Sequence, residues 1–390
     1  MSPNETQKRN LTTAIVTGAV LLVALGLWLS FGRGATAGAT PGPIIQPPGA
    51  SQLDSARPRI DVVFALDTTG SMDGLIAGAK AKIWAIASRI AAGQPTPDLR
   101  IGLVAYRDRG DEYVTRVFHL SRNMDEVYAN LMSFSANAGG DRSEDVIRAL
   151  QDSIHRMQWD KSSNALRIVF LVGDSPAHED YGDEPSLRET ARQASAAGIV
   201  INTIRCGDAS DTEAMWRQVA SWSGGGYASV AQSGGWMQID TPYDRTLSEL
   251  NAAVTRTFVA YGDAAERGAA VRRMAENAAM PAPAQAASAG FRARSKHVDS
   301  ADALSVMGAG GRVDGSKLGG DLAGKSAAEQ KVVLARKSAE REELNKKIAD
   351  VAKKRDAYIK GEMDKKGGGG METAVDDLLR TQAKKVGVKY

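Results

Sequence analysis

The sequence predicts an α/β fold, a doubly wound and mostly parallel sheet over residues 59–262. Three observations carry this reading. Near-continuous apolar runs recur along that stretch, segments with helical spacing separate them, and oxygen-bearing side chains stand where apolar runs end. Strands buried on both faces read as unbroken apolar runs, and the helices that connect them cover those faces.

The runs are "IDVVFAL" (60–66), "LRIGLVAY" (99–106), "VTRVFHL" (114–120), "LRIVFLV" (166–172) and "IVINTIRC" (199–206). The third alternates and closely follows the second, so an antiparallel edge strand is expected there. Between the runs, Ile76, Ala79, Ile83, Ile86 and Ile90 share one helical face, as do Val146, Ile147, Leu150, Ile154 and Met157. Residues 241–262 read as a closing helix.

The flanks have another character. Lys8 and Arg9 precede an uncharged stretch, residues 11–31, "LTTAIVTGAVLLVALGLWLSF". At 1.5 Å per residue, about 20 residues span a bilayer core of roughly 30 Å. Length favours a retained transmembrane anchor, although "ATAGA" (35–39) offers cleavage choices for a signal sequence. Either way residues 1–10 are expected in the cytoplasm and the bulk of the chain outside the inner membrane, in the periplasm or, after cleavage, secreted. Residues 32–58, rich in Gly, Ala, Pro and Thr, read as a flexible tether. Residues 263–325 read as low-complexity linker. Residues 326–390 read as a helical region with a weak coiled-coil pattern, Leu344, Ile348, Val351 and Tyr358, interrupted by Arg341 and Arg355.

Composition excludes some functions. A net charge of +3 is too small for a nucleic-acid binder, and one cysteine, Cys206, precludes an intrachain disulfide. Cys206 closes an apolar run and reads as a packed residue rather than a nucleophile.

In an open α/β sheet, ligands bind beyond the carboxyl ends of strands, where strand order reverses. Asp67, Thr69 and Ser71 lie just past the first run, with Gly70 allowing a tight turn. Their alternate spacing turns three oxygen-bearing side chains toward one point, a hard-oxygen set suited to Mg²⁺, with Mn²⁺ or Ca²⁺ as alternatives. Asp174 in "LVGDSP" ends another core strand, and "NAGGDRSEDV" places Asp141, Ser143 and Glu144 before an amphipathic helix. Taken singly, each has a plainer reading as a cap or a turn. Jointly they favour a metal site.

These residues resemble the von Willebrand factor type A domain, whose metal-ion-dependent adhesion site has the form D-x-S/T-x-S, a loop Thr and a strand-end Asp. The likeness covers about half the chain, and "LRIGLVAYRD", "GGDRSEDV", "VGDSPAH" and "INTIRCG" resemble a bacterial, often membrane-tethered subgroup. It implies a Rossmann-like fold and a metal set of Asp67, Thr69, Ser71 and Asp174. The loop Thr has no counterpart: Glu144 or Asp141 occupies that region. The resemblance further implies a non-enzymatic module that binds a protein partner, a partner carboxylate completing the shell of the ion. Partner contacts are expected from "RDRGDEY" (107–113) and "SPAHEDYGDEP" (175–185), with Arg107, Asp108, Ser175 and His178 as candidates.

Two other readings stand beside this one. A haloacid-dehalogenase-like phosphotransferase also begins with an Asp after its first strand, but needs a second acid two residues later, where this chain has Thr69. A scaffold acting through its C-terminal helices, independently of metal, is the other.

Overall fold

A computed structural model of the chain describes residues 44–45, 57–137, 139–140, 142–236, 239–295, 299–366 and 370–390. The expected N-terminus 1–10, the anchor 11–31, most of the tether 32–58 and Asp141 lie outside the described residues. Among the described residues no helix is long and apolar enough to cross a membrane.

After a two-residue strand, β1 (Ile44–Ile45), the five apolar runs become β2 (Arg59–Asp67), β3 (Asp98–Tyr106), β4 (Thr115–Ser121), β5 (Ala165–Gly173) and β6 (Ile199–Cys206). A short strand that the pattern did not reveal, β7 (Tyr227–Val230), completes a six-stranded sheet of order β4-β3-β2-β5-β6-β7. Every neighbouring pair is parallel except β3 with β4, so β4 is the expected antiparallel edge.

The side chains of β2 alternate between two cores. Ile60, Val62, Phe64 and Leu66 join one cluster, Val63 and Ala65 the other, and all are buried. Phe64 stacks on Phe170 of β5 with ring centroids 5.4 Å apart. Helices α1 (Asp73–Ala91) and α2 (Met124–Met132) cover the first face. Helices α3 (Val146–His155), α4 (Leu187–Ala196) and α5 (Ser210–Ser223) cover the second. The chain leaves β2 in one direction through β3 and β4, then resumes at β5 on the other side. Strand order therefore reverses between β2 and β5, and right-handed crossovers on either side of that point put helices on opposite faces.

The closing helix is α6 (Asp244–Arg256), shorter than the 241–262 expected. Among its described residues, the stretch expected as low-complexity linker is instead largely helical. It forms α7 (Ala264–Ala278), α8 (Ala282–Ser295) and α9 (Ala303–Gly308), then β8 (Val313–Asp314), which pairs with β1. The reason is the alanine itself. Alanine has the highest helix propensity, and its small side chain lets helices approach closely. A Cβ on Gly290 of α8 would lie 3.3 Å from Ala352 and 3.4 Å from Ser88. Phe291 packs edge-on to Trp84 of α1, centroids 5.9 Å apart.

The basic C-terminal stretch forms one helix of 40 residues, α10 (Ala327–Lys366). The two arginines that spoil a coiled-coil seam are the residues that dock it. Arg355, 7% exposed, donates to Asp244 at 2.6 Å and to the Pro283 carbonyl at 3.3 Å. Arg341 donates to the Thr257 hydroxyl at 2.7 Å and pairs with Asp302. Finally, α11 (Met371–Ala383) lies on the first face, with Met371, Val375, Leu379 and Ala383 buried in the same core as β2.

Candidate metal centre

The point where strand order reverses is built from two chain ends. Leu66 pairs with Val172, which sets Asp67 beside Gly173, and Asp174 follows at once. Gly173 is required by space: a Cβ there would stand 2.4 Å from the Tyr106 hydroxyl and 3.0 Å from Asp67 Oδ2. Gly173→Ala is therefore expected to destabilise the protein by about 1–3 kcal/mol, the usual cost of overpacking a filled core. A denaturant midpoint equal to that of the wild type would contradict this.

After β2 the chain makes a short 3₁₀ turn, Gly70–Met72, before α1. Met72 drops into the core and Thr68 turns aside, its hydroxyl donating to the Tyr106 carbonyl at 3.0 Å. Asp67, Thr69 and Ser71 are left facing one another. Asp67 Oδ1 accepts from the Thr69 amide at 2.9 Å and from its hydroxyl at 2.6 Å, and Thr69 Oγ1 lies 3.4 Å from Ser71 Oγ. Asp67 Oδ2 is buried and has no hydrogen-bond partner.

Thr69 and Ser71, with Asp67 buried behind them, open onto a cleft of about 390 Å³ lined also by Gly139, Glu144, Asp174, Ser175 and Gln232. Glu144 is 3% exposed, and its Oε2 is likewise buried without a hydrogen-bond partner. Its backbone is fixed on both sides: its amide donates to the Pro176 carbonyl at 3.0 Å, and its carbonyl accepts from the His178 amide at 3.0 Å. The cap of α3 is Asp145, which accepts from the Arg148 amide at 3.0 Å, so Ser143 and Glu144 are not needed for that purpose.

Burial pushes the Asp67 carboxyl up to about 7, the Thr69 donors opposing and the Asp174 charge adding. Burial also pushes Glu144 up to about 9, followed by the charges of Asp67, Asp108, Asp111 and Asp174. A raised carboxyl pKa favours the protonated acid in the fold. Such a contribution is present in the ordinary carboxylate range and fades as pH rises through the shifted values. A divalent cation reverses the preference, because it stabilises the ionised forms.

The donor set fits such an ion. It consists of hard oxygens from carboxylates and hydroxyls, with two buried carboxylate oxygens that no protein donor satisfies. Among the described residues no group of three His, Cys, Asp or Glu side chains could hold a metal by itself. A metal held here would therefore have to draw on the hydroxyls of Thr69 and Ser71 as well as on acids.

The loop residues differ from expectation. Arg107 is 1% exposed and cannot meet a partner. It is a clamp beneath the site, donating to the carbonyls of Thr68 at 3.1 Å and Ser135 at 2.8 Å, with Tyr113 stacked 4.3 Å away. Asp108 is also buried, accepting from the Tyr181 hydroxyl at 2.8 Å. His178 stacks on Tyr181, centroids 4.5 Å apart, and bonds Asp180 at 2.8 Å. Only Ser175 of the four lines the cleft, its hydroxyl donating to Asp174 at 3.0 Å.

Sequence reasoning missed Gln232, which donates to Asp174 Oδ2 at 2.6 Å and to the Ser71 carbonyl at 3.4 Å. It also missed Thr212, whose hydroxyl donates to the Asp174 carbonyl at 3.1 Å. Gln232 follows the unrecognised β7, so no strand end drew attention to it.

Residues 61–236 match the family model of the von Willebrand factor type A domain. An α-protein kinase of Dictyostelium discoideum, vwkA, is 31% identical over 121 residues, 30% of this chain and 19% of that protein. The chain thus spans about a fifth of the length of the curated relative it matches. Among solved structures, the conserved hypothetical protein BatB from Bacteroides thetaiotaomicron is 16% identical, with a TM-score of 0.35 over 44% of this chain and 90% of that one. Proximal thread matrix protein 1 from the mussel byssus, solved with a zinc-occupied metal-ion-dependent adhesion motif, is 15% identical, with a TM-score of 0.35 over 45% of this chain and 43% of that one.

Proposed function

Because residues 61–236 match the von Willebrand factor type A family model, we propose that this chain is a divalent-cation-dependent protein-binding module. The ion, Mg²⁺ in the first instance, would be held by Thr69, Ser71 and Asp174, with Asp67 and Glu144 contributing directly or through water. It would act as a Lewis acid toward an oxygen atom of the partner, and binding rather than turnover is the role. The observation that carries the reading is the pair of buried carboxylate oxygens, Asp67 Oδ2 and Glu144 Oε2, left without a hydrogen-bond partner beside the hydroxyls of Thr69 and Ser71 at the β2–β5 reversal. Other buried carboxylate oxygens also lack partners, among them Asp111 Oδ2 and Glu184 Oε2, and it is the convergence with hydroxyls at the strand ends that argues for an ion here. A phosphotransferase reading has no support here, because the position of its acid/base is Thr69, already donating to Asp67. The test is partner capture by the full chain with and without chelator. Loss of capture on chelation is expected, and equal capture would refute the reading.

Display outside the inner membrane belongs to the same proposal, supported by the length of the uncharged run 11–31 and its basic flank. The full chain is expected to stay in the membrane pellet after alkaline carbonate washing and to be digested by protease added to spheroplasts. Recovery in the wash would contradict the retained anchor, and protection from protease would contradict display outside the membrane.

A further inference from the structure

The partner group that this cleft would accept follows from its charge, and the argument rests on the metal-dependent reading above. Asp67, Glu144 and Asp174 bring three formal negative charges to one divalent cation. An acid that holds the ion through a water still adds its negative charge to the site, though more weakly as the distance grows. The nearby cations are committed elsewhere. Arg142, which lines the cleft, pairs with Asp211 at 2.5 Å. Arg109 pairs with Asp145 at 3.0 Å and Asp183 at 2.8 Å. Arg107, beneath the site, donates to backbone carbonyls and pairs with Glu112 at 3.6 Å. A further acid, Asp208, stands exposed on the cleft wall. The backbone of Glu144 is hydrogen-bonded on both sides to the loop after β5, which keeps the residue on the cleft wall.

We infer that Glu144 makes the loaded site anionic, and that the site therefore selects a basic partner segment. Such a segment offers a neutral oxygen, a hydroxyl or a carbonyl, to the ion, and a lysine or arginine to the acids of the wall. A partner carboxylate, which the resemblance implies, would add like charge to a site already over-compensated.

The test is Mg²⁺ calorimetry on the full chain and on Glu144→Gln and Glu144→Thr, each in chloride and in acetate of equal ionic strength. The wild type is expected to bind Mg²⁺ with the same affinity in both salts. Glu144→Gln is expected to weaken Mg²⁺ roughly 10–100-fold, as loss of an outer-shell partner at a metal site does. Glu144→Thr is expected to bind Mg²⁺ more tightly in acetate than in chloride, because the vacated charge admits a carboxylate. A Ser-Lys-Lys peptide should tighten Mg²⁺ binding to the wild type, and a Ser-Glu-Glu peptide should not. Tighter wild-type binding in acetate, or unchanged affinity in Glu144→Gln, would overturn the inference while leaving the metal site in place. Absence of Mg²⁺ binding by the wild type would instead remove the underlying reading, and the inference with it. Thermal melts in chelator verify that both variants fold, and if Glu144→Thr does not, the near-isosteric Glu144→Gln decides.

Discussion

Asp67→Asn is expected to abolish the stabilisation that Mg²⁺ gives the wild-type chain while leaving the chelated protein folded. Asn keeps the shape of Asp and can still accept the two Thr69 hydrogen bonds at Oδ1. What it loses is the charge on an oxygen that is buried and has no hydrogen-bond partner. In the absence of an ion that charge is a burden on the fold, so its removal costs little. In the presence of an ion it is an anchor of the shell. A ligand at about a hundred times its Kd stabilises the folded state by about 2.7 kcal/mol. The variant should show none of this in scanning calorimetry with Mg²⁺ against chelator. A full Mg²⁺ shift in Asp67→Asn would exclude Asp67 from the site.

The second large effect concerns the C-terminus. Removal of residues 371–390 is expected to unfold the domain rather than trim a tail. Met371, Val375, Leu379, Ala383 and Val388 are each at most 2% exposed and belong to the core that includes β2. Burying a large apolar side chain contributes about 1.5–3 kcal/mol. Four such residues and an alanine together approach the roughly 5–15 kcal/mol net stability of a whole domain. The deletion also strips Gln382 from Asn202, a buried pair that exchanges hydrogen bonds of 2.6 and 3.0 Å, leaving the Asn202 amide donor unsatisfied. It further removes the Tyr390 hydroxyl from the Ile90 carbonyl. A fragment ending at residue 262 lacks α8 as well and should fare worse. Expression of the truncated chain with circular dichroism checks this: a cooperative melt near the wild-type temperature would contradict it. Leu379→Ala alone is expected to cost about 2–5 kcal/mol.

These two results mark what the sequence discloses and what it hides. Strands β2, β3, β5 and β6 are legible because each is a run of apolar residues buried on both faces, and β4 because it alternates beside one of them; the bounds of all five agree with the pattern to within a residue. Asp67, Thr69, Ser71 and Asp174 are legible because they end such runs, and the structure gathers all four at the reversal of strand order. Tyr227–Val230 escaped because four residues, partly exposed, carry too little periodicity. The alanine-rich helices escaped because a helix packed through alanine has no stripe of large side chains to detect. Arg341 and Arg355 were read as breaks in a seam, yet a buried arginine with a carboxylate partner far along the chain leaves no local trace. Arg107 looked like a loop charge for a similar reason: beside its pairing with Glu112, what buries it are the backbone carbonyls of Thr68 and Ser135, which no residue type announces.

The account rests on oxygens from the β2 turn, the loop before α3 and the end of β5 sharing one divalent cation. Calorimetric titration of Mg²⁺ into the full chelator-stripped chain tests that claim most directly. Saturable binding with one ion per chain, erased by Asp67→Asn, is the predicted result. Titration without heat, together with an unchanged melting temperature in excess Mg²⁺ or Mn²⁺, would contradict it.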